Sequence, residues 1–238
     1  SHDYQDGNGD RVPSRWDKWN GDLALGWTPD TDTLLEVTMG RGNGEARYAG
    51  RSMDGSQFKR ESLGMRVEKS NIGEVFDKLE AQVYYNYANH IMDNTTLRSP
   101  GQGGMAMGHM GMGMPMHAGM TMQLDRRTVG GRVMGTWLWQ DFKLESGMDT
   151  QTNTHRNKRG NAWQEDAQFH NYGAFGELTW SATEQSKIIS GARLDRTLVD
   201  NYKTGNDTER SDTLPSGFSR IEHTLAAVSY THLRAHET

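Results

Sequence analysis

Methionine and histidine side chains crowd into one short segment, and they are the residues best suited to chemistry. The segment holds eight of the 14 methionines and two histidines. Its candidate ligands are Met105, Met107, His109, Met110, Met112, Met114, Met116, His117, Met120 and Met122. Thioether sulfur is a soft ligand, and together with imidazole it favours copper, as Cu(I) rather than Cu(II). A low-complexity loop or an adaptable apolar surface would be rich in methionine as well.

A second pair of candidate ligands, His90 and Met92, precedes this segment. Residues two apart point to the same face of a β-strand. Counting back along the strand, the same face carries Lys78, Glu80 and Gln82, so it is the polar one. One imidazole and one thioether side by side on a polar strand face make half of a soft-metal site.

Composition argues against several other kinds of site. The chain has no cysteine, which removes thiolate zinc sites and cysteine nucleophiles, and its net charge of −5 does not suggest a nucleic-acid partner. We find no catalytic triad and no phosphate loop, so no enzyme is predicted. Glu80, Glu145 and Glu177 are interpreted as solvated lining. His155 and His170 have no potential ligand at a useful spacing.

The elements that must position these ligands are β-strands. From Lys78 to Met92 apolar and polar residues alternate with a period of two, and the pattern recurs along the chain. It predicts an all-β protein of about nine long strands and no helix. A strand of about 15 residues is long for a soluble sheet but can cross a bilayer when tilted. We therefore predict an antiparallel up-and-down transmembrane β-barrel.

Short and long connections alternate between the predicted strands. The short ones are predicted at 29–32, 70–76, 140–141 and 181–186, and the long ones at 41–57, 93–121, 150–167 and 200–217. Outer-membrane barrels have short periplasmic turns and long extracellular loops. Trp27, Trp139 and Trp180 each precede or join a short turn, as in an aromatic girdle at the periplasmic interface.

An odd number of strands does not close a bacterial barrel. We therefore expect residues 1–230 to be one partial barrel domain, an open curved sheet, with the methionine-rich extracellular loop at 93–121. Residues 231–238 break the alternation and are interpreted as a foreign tail.

The run from Tyr84 to Asn94, followed by the methionine-rich loop, resembles TonB-dependent copper receptors of the Gram-negative outer membrane. Trp16–Asn20 and the turn Trp27–Asp30 are similar to that family too. The resemblance implies a barrel of about 22 strands, closed by an N-terminal plug, that imports copper. It implies energy from the TonB complex through the plug, and outer-membrane lipid around the barrel.

The same resemblance implies that copper is held by a His-x-Met pair of the barrel wall and a Cys-x-x-x-Met pair of the plug. The first pair corresponds to His90 and Met92. The second has no counterpart, because this chain has no cysteine and we expect the plug to be missing from it. Two alternatives stay open. One is another outer-membrane barrel, such as a siderophore receptor or porin, with an incidental methionine loop. The other is a soluble copper-binding β-protein.

Overall fold

The computed structural model describes residues 1–98, 119–202 and 208–224, and most of them lie in strands. Two short strands form a small hairpin near the start, β1 (Tyr4–Gln5) and β2 (Arg11–Val12). The long strands are β3 (Trp16–Asp30), β4 (Thr33–Ala46), β5 (Asp54–Lys69), β6 (Phe76–Asp93), β7 (Thr121–Leu138), β8 (Phe142–Arg159), β9 (Ala162–Thr183), β10 (Ser186–Asn201) and β11 (Thr208–His223). Within these ranges, no helix is long and apolar enough to span a membrane.

The nine long strands form one antiparallel sheet in chain order. Each strand pairs with the strands before and after it, so the topology is up-and-down. In the described part of the chain β3 and β11 each have a single neighbour, and the sheet is therefore open. This confirms the predicted all-β architecture of about nine strands forming an open barrel wall.

One face of the sheet is apolar and the other is polar. On the apolar face Leu25 is 57% exposed, Val83 58% and Met148 67%. The only buried hydrophobic side chain in the described residues is Ile189, whereas Asp54, Asn89, Asp125 and other polar side chains are buried. In a soluble protein, by contrast, apolar side chains are mostly buried and polar ones mostly exposed. An apolar surface of this size is what a lipid-facing barrel wall presents.

The connections at one end of the sheet are short, as predicted. They comprise residues 31–32, 70–75, 139–141 and 184–185. Trp27, Trp139 and Trp180 lie at this end with much of their indole surface exposed. Their position agrees with the predicted aromatic girdle.

At the other end the strands run further than the alternation of apolar residues indicated. The segment predicted as a loop at 150–167 is a hairpin, in which β8 and β9 join through a two-residue turn with Gly160 at φ +59°. Similarly, only residues 47–53 separate β4 from β5. Backbone pairing continues there because it satisfies the peptide groups, although no apolar face is needed beyond the lipid. The connection after β6 stays long, and its residues 99–118 lie outside the described ranges, as does the tail 231–238.

Candidate metal site at the loop end of the sheet

The loop end of β6 carries both predicted barrel ligands. His90 pairs with Phe58 of β5 and Leu124 of β7, and pairing continues without a bulge in β6 from Lys78 to Asp93. Alternate residues over this stretch therefore share a face. His90 and Met92 lie on the polar face with Lys78 and Glu80, as the sequence predicts.

His90 has a ring nitrogen without a hydrogen-bond partner in the described part of the chain. Its imidazole stacks on the ring of Phe58, with 4.4 Å between the centroids and 28° between the planes. Its Nε2 is buried and has no hydrogen-bond partner in the described residues. A buried polar atom left without a partner costs about 1–3 kcal/mol. A metal ion bound to that nitrogen removes the cost.

Met122 lies directly opposite Met92. The sequence analysis assigned Met122 to the capture loop, but it belongs to β7 and is the register partner of Met92. Directly paired residues of antiparallel strands have Cβ atoms about 4.5–5.5 Å apart on one face. The two thioethers therefore lie next to each other, two residue pairs beyond His90 and Leu124 and on the same face.

A cleft of about 610 Å³ opens beside His90 on the polar face. Its walls come from β3, β5, β6, β7 and β8, so the face curves enough for distant strands to line one cavity. Lys18, Arg60, Arg126 and His155 contribute to the lining. His155 is a residue for which spacing in the sequence gave no sign of a site.

Buried ion pairs lie at the same end of the sheet as this cleft. Arg98 donates from Nε to Asp54 Oδ2 at 2.6 Å and from Nη1 to the carbonyl of Arg51 at 2.8 Å. Asp54 also accepts the backbone N–H of Tyr48 at 2.9 Å. Burial raises the pKa of the Asp54 carboxyl, but the hydrogen bonds and charge of Arg98 outweigh it and the pKa is lowered. On the other side, Arg156 pairs with the buried Asp125.

The predicted capture loop has ten candidate ligands, of which Met120 and Met122 are in the described residues. Met105, Met107, His109, Met110, Met112, Met114, Met116 and His117 lie outside the described residues. Met120 is 63% exposed and precedes β7, where its N–H donates to Asn94 Oδ1 at 2.8 Å. Across the described ranges, no group of three or more histidine, cysteine, aspartate or glutamate side chains could hold a metal ion.

A family model described as TonB dependent receptor-like, beta-barrel, matches residues 1–230. The chain belongs to the TonB-dependent receptor family. These receptors lie in the outer membrane of Gram-negative bacteria, so the apolar face of the sheet meets lipid and the polar face lines the lumen. The short turns are thus periplasmic and the loop end of β6 is extracellular.

Solved structures agree with this TonB-dependent receptor fold. The copper transporter OprC is 53% identical, with a TM-score of 0.80 over 94% of this chain. The FrpB iron transporter of Neisseria meningitidis (13% identity, TM-score 0.65, 91% of this chain and 35% of that one) shares the fold. The ferric-catecholate receptor Fiu of E. coli also shares the fold (10% identity, TM-score 0.66, 95% of this chain and 47% of that one). This chain spans 38% of OprC. No curated protein matched.

Proposed function

We propose that this TonB-dependent receptor imports copper and that His90, Met92 and Met122 bind the ion, as Cu(I), on the wall of the barrel. The observation that carries the proposal is the unpartnered Nε2 of His90 beside two paired thioethers on the luminal face. One imidazole and two thioethers form a soft ligand set that suits Cu(I). The 53% identity to a protein described as a copper transporter supports the same metal.

The other parts of the proposed import path rest on the methionine-rich sequence and on the resemblance to the family. The loop at 93–121 would collect copper outside the cell through its methionines and through His109 and His117. A Cys-x-x-x-Met pair, which the resemblance places in the plug, would complete the coordination opposite His90 and Met92. The TonB complex would supply energy through that plug. Outer-membrane lipid would surround the apolar face.

The test is Cu(I) affinity of the full-length receptor, measured by competition with a chromogenic chelator. We expect His90→Ala and Met92→Ala each to weaken binding by about a hundredfold or more, because loss of a ligand exceeds the 10- to 100-fold effect of losing an outer-shell partner. Met122→Leu should weaken it by about tenfold, since one thioether of the pair remains. Undiminished affinity in the His90 and Met92 variants would refute the site.

Two variants on the opposite face serve as controls. His170 and Met148 lie at positions of β9 and β8 that face lipid, and His170 is occupied by a hydrogen bond with Thr152. His170→Ala and Met148→Ala should leave Cu(I) affinity unchanged. FrpB and Fiu are too distant in sequence to favour iron over copper. Iron-complex uptake by the receptor without copper uptake would nevertheless overturn the proposal.

A further inference from the structure

A second histidine lines the same cleft as His90. His155 of β8 pairs with Arg126 of β7, which in turn pairs with Ala88 of β6. His155 therefore lies two strands away from β6. It is level with Ala88, which is two residues nearer the periplasm than His90. Strands are about 4.8 Å apart and residues about 3.3 Å apart along a strand, so the two histidine backbones are about 12 Å apart on the sheet. This separation favours two metal positions rather than a single shared one.

Asp166 fixes the orientation of the His155 ring. The Nδ1 of His155 lies 2.7 Å from Oδ1 of Asp166, a carboxylate that is only 4% exposed. A carboxylate accepts, so Nδ1 carries a proton, and in the neutral ring the lone pair is on Nε2. Asp166 reaches this position because a bulge in β9 places it between the partners of His155 and Arg156. Histidines that bind metals are commonly held by such a carboxylate.

A buried oxygen without a hydrogen-bond partner in the described ranges lies on the same strand face as His155. Asn157 is two residues further along β8, on the same face, and its Oδ1 is buried without a hydrogen-bond partner in the described residues. Its register partner is Leu124, which also pairs with His90. An imidazole nitrogen and an amide oxygen two residues apart on one strand face can bind the same ion. Nitrogen and oxygen donors without sulfur suit Cu(II) rather than Cu(I).

Positive and negative charges both surround this position. Arg126 is the register partner of His155, and Asp166 holds a carboxylate against the ring of His155. The next ionic pair, Arg156 with Asp125, is internally neutral. His170 shows what a histidine without these features looks like: it bonds Thr152 Oγ1 at 2.9 Å and is not part of the cleft lining.

We propose that His155, oriented by Asp166, and Asn157 form a second metal position in the cleft that binds Cu(II). The identity of the metal rests on the proposed function, but the ligands do not overlap with His90, Met92 or Met122. The luminal face would thus carry two positions of different chemistry, a sulfur-rich one for Cu(I) at the rim and a nitrogen–oxygen one for Cu(II) nearer the periplasm.

Electron paramagnetic resonance of the full-length receptor tests this proposal, because Cu(II) gives a signal and Cu(I) does not. The metal-free receptor in detergent is titrated with copper(II) sulfate without a reductant. We expect a tetragonal Cu(II) signal with nitrogen splitting that disappears in His155→Ala. Asn157→Leu should broaden the Cu(II) signal, and Asp166→Asn should weaken Cu(II) binding by about tenfold. His170→Ala is the matched control and should retain the signal in full.

The possible results separate the two proposals. Heat-modifiable gel mobility first establishes that each variant is folded. Persistence of the signal in folded His155→Ala, or absence of any Cu(II) signal in the parent receptor, would overturn the second position. Loss of the signal in His90→Ala with retention in His155→Ala would also overturn it. A signal that depends on His155, in a receptor whose Cu(I) affinity is indifferent to His90 and Met92, would overturn only the proposed Cu(I) site.

Discussion

At the scale of single residues, Arg98 links the start of the methionine-rich loop to the β4–β5 connection at the extracellular rim. It is 9% exposed and its partner Asp54 is fully buried. Removing one member of a buried pair leaves an uncompensated charge and costs about 3–5 kcal/mol. We expect Asp54→Asn to release Arg98, which trypsin would then cleave. Arg159, exposed at the β8–β9 turn, should be cut equally in both proteins. Equal protection of Arg98 in parent and variant would contradict the anchoring role.

The ion pair between Arg98 and Asp54 should weaken only at acidic pH. Burial raises the pKa of Asp54, but the hydrogen bonds and charge of Arg98 lower it by more, so the folded value lies below the ordinary 3.8. A depressed pKa means that the stabilisation is complete above pH 3.8 and is lost as the pH falls through the lower folded value. Hydrogen exchange at Tyr48, whose N–H donates to Asp54, should stay slow from pH 8 to 5, after correction for intrinsic rates. Acceleration between pH 7 and 5 would show that another group controls this contact.

At the scale of one strand, the two faces of β6 should respond oppositely to a charge. Val83 is 58% exposed on the lipid-facing side and its neighbour Gln82 points into the lumen. An arginine facing the middle of the bilayer costs about 2–4 kcal/mol. Val83→Arg should therefore lower the folded fraction of the full-length receptor in a denaturant titration in lipid vesicles. Gln82→Arg, its matched control, should change stability by less than about 1 kcal/mol. Equal effects of both substitutions would mean that β6 does not face lipid on that side.

Strand alternation was sufficient to predict which face of each element meets lipid, and hence the position of His90 and Met92. It failed where strands leave the bilayer: at 150–167 the backbone pairing continues, but neither side needs apolar residues, so the pattern fades. The side-chain pairs that form between neighbouring strands could not be predicted from the sequence either. Met122 meets Met92 only through the register across a long connection, and Asp166 reaches His155 only through a bulge. The alternation fixes the face on which a residue lies, but across a long connection it does not fix the partner on the next strand, and the bulge has no signature in this sequence.

For the whole molecule, the open sheet is the feature with the largest energetic consequence. Both β3 and β11 have one unpaired edge in the described residues, and β11 is exposed along its entire length. Each peptide group left unpaired in hydrocarbon costs several kcal/mol, so an open sheet is not tolerated in a bilayer. The nine strands must therefore be completed by further strands. This agrees with a chain that spans 38% of OprC.

A polypeptide of residues 1–238 alone should accordingly fail to form a stable membrane-inserted monomer. Refolded into detergent or lipid vesicles, it should show neither the heat-modifiable gel mobility nor the protease resistance expected of the full-length receptor under the same conditions. Its large exposed apolar face and its free strand edges would drive it to aggregate instead. The control is the full-length receptor refolded in parallel. A protease-resistant, heat-modifiable form of the 238-residue chain, whether as a monomer or as a defined oligomer, would show that these strands can satisfy their own edges.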